Sequence, residues 1–415
     1  NNAVTFNGAA ATVLSATPTE LTVVVPASPT AGSVVVGVAG SFSAPRAYSL
    51  SPFDLGANAD FVRLSGDGRL AFYVQQYGVG LYGQFVRDRV TGLVELVKDA
   101  GAYTVTPDGR FGAWHDSAPN LIKGDPSSGG ATDAFLHDRA LGATIAVGVD
   151  VHGRQLNSYL AQDPVVSDDG RFVVYLQGGP VSSTYLWDRQ VNRAVPLVVD
   201  ALGQPKTTGI NPWISGDGRY VFLATEVALV SSDTNGFEDV YRYEVATGTW
   251  TIVSVTAGGG QGNQFSRAPR SSTDGRYVLF LSWASNLVPG DTNGSANDIF
   301  LKDMQTGTLV RVNVADDGAQ ADGSTRLYDL SRDGRYVVFS SHATNLVAAT
   351  DTNGANPDVF VRDTQAATTT LISLDGTGTQ PTQSLQPVIS ADGHYVGFVG
   401  YNGASRRGYL VPVPR

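Results

Sequence analysis

The chain of 415 residues carries 28 Lys+Arg against 38 Asp+Glu, a formal charge of −10, and no cysteine. That balance excludes a sequence-independent grip on nucleic acid, which depends on basic side chains neutralising phosphates. The missing cysteines exclude disulfides, zinc–thiolate sites and thiol nucleophiles, and no apolar run reaches the roughly 18 residues of a membrane-crossing helix.

In chain order, residues 1–50 form a first unit, rich in Ala, Val, Thr, Ser and Pro and charged only at Glu20 and Arg46. The chain opens Asn1-Asn2 without Met, which reads as a processed or partial chain with any signal peptide or anchor outside it. Three apolar runs bounded by turn residues read as short strands: VTFNG (4–8), LTVVVPA (21–27) and GSVVVGV (32–38). They resemble the second half of an IPT/TIG immunoglobulin-like module, with its V-x-F-x-G, L-x-V-x-V-P and G-x-V-x-V segments. The first half of that pattern is absent, so the resemblance implies a partial Ig-like β-sandwich with an open edge. Either the module continues upstream or a neighbour's strand completes it.

Residues 51–415 form the second unit, built on one phrase that recurs seven times from Phe61 onward. The copies are SGDGRLAF (65–72), TPDGRFGAW (106–114), SDDGRFVVY (167–175), SGDGRYVF (215–222), STDGRYVLF (272–280), SRDGRYVVF (331–339) and SADGHYVGF (390–398). Asp-Gly between two apolar runs is a hairpin signal, because Gly tolerates the positive φ of a tight turn. Each hairpin is followed by a third strand ending in an acid in six copies, at Asp88, Asp138, Asp188, Glu244, Asp303 and Asp363. A turn, often Thr-Gly, then leads to a fourth strand such as TLVRVNV (308–314). Four-strand units repeating every 40 to 60 residues or so are propeller blades.

The repeats resemble the TolB-like, WD-repeat-related bacterial propeller repeats, S-x-D-G-R-Y-V-x-F followed by D-V-F-V-R-D and T-G-x-T, over residues 61–413. The resemblance implies an all-β propeller. Seven copies favour seven blades, with the six of the best-known members as the alternative. The seventh copy lacks an outer strand before the chain stops at Arg415, so closure needs a latch strand from about 46–58.

Between second and third strands, three successive copies carry DTNG closed by a further Asp. The residues are Asp233, Asn235 and Asp239; Asp291, Asn293 and Asp298; and Asp351, Asn353 and Asp358. DPSSGGATD (125–133) is a degenerate relative. Asp and Asn oxygens alternating before a glycine turn suit a structural Ca²⁺. They equally suit Asx-turns with Gly at positive φ. The blade-to-blade loops, such as VTAGGGQGN (255–263) and VADDGAQAD (314–322), share that face, with Arg267, Arg270 and Arg326 nearby. It reads as a polar contact surface for protein or glycan, or as ordinary solvated loop.

No catalytic residue is assigned. The five histidines, among them His115 and His394, have no metal-ligand spacing, and no G-x-S-x-G elbow occurs. A motif present in every blade is architectural. The function expected is a non-enzymatic, extracellular or cell-surface bacterial scaffold or adhesion protein. Its partners are copies of itself or other surface proteins, and assembly into a fibre or layer proceeds by strand completion of the Ig-like module. The alternatives are a polysaccharide-active hydrolase or lyase and a periplasmic TolB-like accessory protein. Unique acids, His or Arg lining the propeller axis would favour the hydrolase or lyase.

Overall fold

Every Asp-Gly pair of the repeat turns a hairpin, and each hairpin forms the inner half of a four-stranded antiparallel sheet. The structure, a computed structural model, describes residues 2–414 except 7–8, 17–20, 25–31, 39–40, 44–45, 49–52, 58, 79–80, 99–102, 117–131, 148–160, 179–180, 209–210, 295, 349–351, 355, 375–378 and 404. Among these residues there is no helix. Seven four-stranded sheets make seven blades rather than six. Blade 6 shows the plan: inner strand Thr325–Leu330, then Tyr336–Ser341, Asp358–Asp363 and outer strand Thr368–Leu371.

Blade 7 takes three strands from the C-terminal end, Gln383–Ile389, Tyr395–Asn402 and Ser405–Pro412, and its fourth from far upstream, Phe53–Ala57. The latch pairs Leu410 with Phe53 and Arg407 with Ala57. Leu55 at its centre is buried against Val62, Tyr73, Val399 and Leu410. The rest of the expected latch segment does something else. Arg46–Tyr48 pairs with Gly32–Val38 in the N-terminal sheet. That sheet runs Leu21–Val24, Ala9–Ala16, Asn2–Phe6, Gly32–Val38, Ser41–Phe42, all neighbours antiparallel.

Three side-chain devices explain why one phrase is repeated so strictly. Within the turn, Ser or Thr accepts the backbone N–H five residues on and donates to the Asp carboxylate, as Ser331 does to Asp333 at 2.6 Å. The Gly of each turn has positive φ and no room for a Cβ, because the first residue of the second strand in the preceding blade lies against it. Leu70, Phe111, Phe172, Tyr220, Tyr277, Tyr336 and Tyr395 lie in this way against Gly109, Gly170, Gly218, Gly275, Gly334, Gly393 and Gly68. The two halves of each blade-to-blade joint are therefore neighbours in the motif but partners across blades.

The third device is the Arg that follows the Gly. It reaches the acid ending its own blade's third strand, at 2.6–2.9 Å in the six blades where both are present. These acids also cap the following turn; Asp303 accepts from the N–H of Gln305. In blade 7 both partners change together: His394 replaces the Arg and lies 2.9 Å from Asp392, while Pro412 stands opposite Tyr395 where the acid would be expected nearby. Backbone hydrogen bonds then link turn to turn around the ring, including Asp168 N to Gly216 O, Asp217 N to Thr273 O, Arg332 N to Ala391 O and Asp392 N to Gly66 O.

Second strands such as Phe172–Gln177, Tyr220–Thr225 and Tyr336–Ser341 are buried at every position, since each sheet is covered on both faces by its neighbours. Phe222, Phe280, Phe339 and Phe398 are fully buried there, each contributing about 1.5–3 kcal/mol.

The joint predicts unequal costs for the same substitution. Gly275 and Gly307 both have positive φ, but a Cβ at Gly275 meets Tyr220 Cδ2 at 2.6 Å, whereas one at Gly307 meets nothing within 4 Å. Gly307→Ala should cost about 1 kcal/mol from backbone strain, and Gly275→Ala about 2–5 kcal/mol, compared by urea denaturation. The Arg–acid pairs predict an acid limb. Hydrogen bonds from Arg69 and Arg276 hold the Asp88 and Asp303 carboxyls down to about 2, below the about 3.9 of an unfolded Asp. Their stabilisation is whole above about pH 4 and is lost as pH falls toward 2, and Arg276→Gln should flatten that loss in denaturation midpoints.

Candidate functional site

Two places gather polar side chains: the loops on one face and the channel along the axis. On the face, each DTNG segment is seated on the blade-to-blade loop that leaves its own blade. Gln261, Gln320 and Gln380 accept the N–H of Thr234, Thr292 and Thr352, respectively. Gln261 donates to Asp233, Gln320 to Asp291 and Asp298, and Gln380 to Asp358.

Among the residues expected to hold Ca²⁺, the Asn side-chain nitrogens donate to the neighbouring carboxylates and loop carbonyls, while Asn293 Oδ1 is buried with no hydrogen-bond partner among the described residues. Asn235 Nδ2 donates to Asp239 (2.9 Å) and Gly262 O (3.1 Å). Asn293 Nδ2 donates to Asp298 (3.1 Å) and Ala321 O (3.3 Å), and Asn353 Nδ2 to Asp358 (3.1 Å) and Pro381 O (2.9 Å). The amide nitrogen thus stands among the oxygens where a cation would have to sit. Asp233 also accepts from the Tyr241 hydroxyl, Asp239 from Ser254 at 2.5 Å, Asp298 from Asn313 at 2.8 Å and Asp358 from Ser373 at 2.8 Å. Burial pushes the Asp239 and Asp298 carboxyls up, opposed by Ser254 and Asn313. Among the described residues no three acids or histidines converge. Asp351 lies outside the described residues.

The same loops hold adjacent blades together. Asn286 Nδ2 donates to Gln261 O, Asn345 Nδ2 to Gln320 O, and Thr344 to Asp322.

The channel holds the second site. A cavity of about 540 Å³ is walled by inner strands of all seven blades. Aligning the repeats on S/T-x-D-G, the position two residues before the Ser or Thr is Arg63, Thr104, Val165, Trp213, Arg270, Asp329 and Val388, and all seven line the cavity. The position is common to every blade, yet its occupants differ. The sequence reading set Arg270 on the loop face and gave His115 no role; the structure brings both to this channel. Arg267, by contrast, pairs with Glu238 at 2.9 Å.

A local backbone device presents this layer. Inner strands are bulged just before it, between Asp60 and Arg63, Gln162 and Val165, Arg267 and Arg270, Thr325 and Tyr328, and Leu385 and Val388. Asp163, Asn211, Ala268 and Gln386 each have positive φ and each precede a proline. A bulge re-aims the side chains beside it, and non-glycine residues at positive φ concentrate at functional sites.

The acids of the channel are engaged by the protein. Asp329 accepts the N–H of Leu330 (2.9 Å) and of Ile389 (3.1 Å), and Asp163 accepts from Asn211 (3.1 Å). Burial pushes Asp329 up, opposed first by the Ile389 hydrogen bond. Burial also lowers Arg63, opposed by the nearby Asp329. Arg63 and Arg270 each donate only to the carbonyl of the preceding residue, Val62 and Pro269, at 2.9 Å. Among the described residues neither forms an ion pair. Arg270 also lies over the Trp213 ring at 4.5 Å. His115 Nδ1, Trp213 Nε1 and Ser271 Oγ are buried atoms of the lining without a hydrogen-bond partner. At the Asp-Gly end, Arg332 of blade 6 bridges to Asp168 of blade 3 at 2.5 Å, over Gly216, where a Cβ would overlap both side chains.

Neither a protein-family model nor a curated protein matches the sequence. Among solved structures, the chain is similar to the β-propeller domain of the Trilobed protease from Pyrococcus furiosus. The TM-score is 0.56 at 11% identity, over 86% of this chain and 97% of that one. It is similar to an oligogalacturonate lyase in complex with manganese at TM-score 0.55 and 12% identity, over 86% and 90%. TolB from Acinetobacter baumannii overlays less closely, TM-score 0.42 at 13% identity over 91% and 76%. At these identities the likeness to the first two is one of fold.

The clasp on the loop face makes a paired prediction. Asn293→Ala leaves two acceptors without their donor and should cost about 1–3 kcal/mol in denaturation. A chelator should leave the melting temperature of the unaltered chain unchanged. A fall on chelation would bring a stabilising ion back, because a ligand bound only by the folded state raises stability by mass action.

Proposed function

We propose that this chain is a ligand-binding propeller whose axial cavity receives a small polar molecule. The observation that supports it is the cavity layer itself: seven equivalent positions filled by five kinds of side chain, backed by buried polar atoms without a hydrogen-bond partner among the described residues. Architecture repeats, whereas recognition of one ligand needs different groups at different angles. Because Arg332 and Asp168 strap the Asp-Gly end, the ligand reaches the cavity from the face of the DTNG loops. Unique acids, arginines and a histidine do line the axis, the feature expected to favour a hydrolase or lyase over a passive scaffold; because backbone and Asn donors engage the two acids, the function proposed is ligand binding and no reaction is assigned.

A surface scaffold is the second reading, favoured by the N-terminal sheet. Among the described residues its terminal strand Leu21–Val24 pairs on one side only, with Ala9–Ala16, and an open strand edge accepts another chain's strand. The two readings are compatible, with an attachment module carrying a ligand-binding one.

A calorimetric screen of neutral, acidic and amino sugars and small organic acids tests the first reading. Leu327, 44% exposed on the cavity wall, is the place to obstruct it. Leu327→Trp should weaken whatever binds by about tenfold or more, at unchanged melting temperature. Ligands that bind the variant as tightly as the unaltered chain would place recognition elsewhere.

A further inference from the structure

Resting on the reading of the channel as a binding site, we infer that its ligand carries an oxyanion, a carboxylate, sulfate or phosphate group, held between Arg63 and Arg270. Five charged side chains line this cavity, two acids and three guanidiniums; Arg332 is paired with Asp168 at the Asp-Gly end, and the other four are treated unequally. Backbone N–H groups of Leu330 and Ile389 satisfy Asp329, and Asn211 satisfies Asp163. Each guanidinium of Arg63 and Arg270 spends one donor on its neighbouring carbonyl, and among the described residues no other protein acceptor meets it.

An arginine withdrawn from bulk water without an acid partner is unfavourable unless something else supplies the negative charge. The acids attract the guanidiniums through space but neither reaches ion-pair distance of Arg63 or Arg270, which leaves the guanidinium donors open. The surplus is in donors, so the complement is an acceptor: a flat or tetrahedral oxyanion that a guanidinium grips in two places. Stacking on Trp213 holds the plane of Arg270 while leaving its donor edge free. Ser271, the next residue on that strand, is 3% exposed with its hydroxyl unpartnered, and adds a further donor to the same wall.

The two arginines occupy the same repeat position in blades 1 and 5, reached through the same kind of bulge. They are therefore at one height along the axis, on opposite sides of a ring of seven. An oxyanion at that height is met from both sides, and a dicarboxylate presents one carboxylate to each.

The test titrates sulfate, phosphate, malonate and a neutral disaccharide into the full chain, at ionic strength matched with sodium chloride. The unaltered chain, Arg63→Gln, Arg270→Gln and Leu327→Trp are compared by calorimetry and by melting temperature. Binding of at least one oxyanion to the unaltered chain, weakened tenfold or more by either arginine substitution and by Leu327→Trp, is the expected result. The three anions show which group fits. Should an arginine variant fail to fold, Leu327→Trp decides the matter: an oxyanion must raise the melting temperature of the unaltered chain by more than that of Leu327→Trp, because sulfate and phosphate stabilise both by exclusion from the surface. Oxyanion binding indifferent to both arginines overturns the inference. So does its absence while the disaccharide binds in a manner sensitive to Leu327→Trp, which leaves the channel reading standing. If nothing tested binds in a manner sensitive to Leu327→Trp, both are overturned.

Discussion

The structure depends on a contact between a glycine and a ring. In each Asp-Gly turn the Gly has positive φ and an aromatic or leucine side chain of the preceding blade pressed against its α-carbon. Glycine is required twice over, once for the backbone and once for the space. Since the pressed side chain lies two residues after the Gly of its own motif, every blade offers one half of the joint to each neighbour. Seven identical half-joints close only as a ring, and the strand Phe53–Ala57 closes the last blade without altering that rule.

Symmetry at the joint frees other positions from symmetry. The Ser-Asp turn, the Arg–acid pair and the buried second strand hold each blade rigid. The inner-strand position ahead of the turn faces the axis and has no common task. There the chain places Arg, Thr, Val, Trp and Asp in different blades. Bulges and positive φ before proline set the angle of this layer, local strain of about 1–3 kcal/mol per residue that the surrounding sheet sustains. Rigidity around the cavity is what allows two guanidiniums to be held apart from the acids.

The loop face shows how one set of residues supports two chemistries. Asp, Asn and Gly in alternation supply oxygens to a cation or hydrogen bonds to each other, and the choice turns on what approaches them. In blades 4, 5 and 6 a Gln from the outgoing loop approaches, and its amide, with that of the Asn, fills the space among the oxygens. The segment then works as an all-protein clasp, and the following Asn or Asp of the same loop extends it to the next blade.

Much of the fold was legible in the residues alone, because hairpins, blade number and latch follow from local rules: Asp-Gly turns, apolar runs on either side of them and a count of copies. The Arg–acid pair was half legible, with the recurring acid at the end of each third strand noticed and its arginine partner unassigned, since the two lie 17 to 28 residues apart in sequence. Arg63, Trp213, Arg270 and Asp329 were not legible as a site, because they lie in four blades and break no local pattern. Only superposing the seven repeats on their turns brings them into one column. What amino-acid order determined was the shape of each blade, a matter of neighbours along the chain. Which charges remain unpaired at the axis was decided by tertiary structure, because pairing depends on distances between blades that no local spacing encodes.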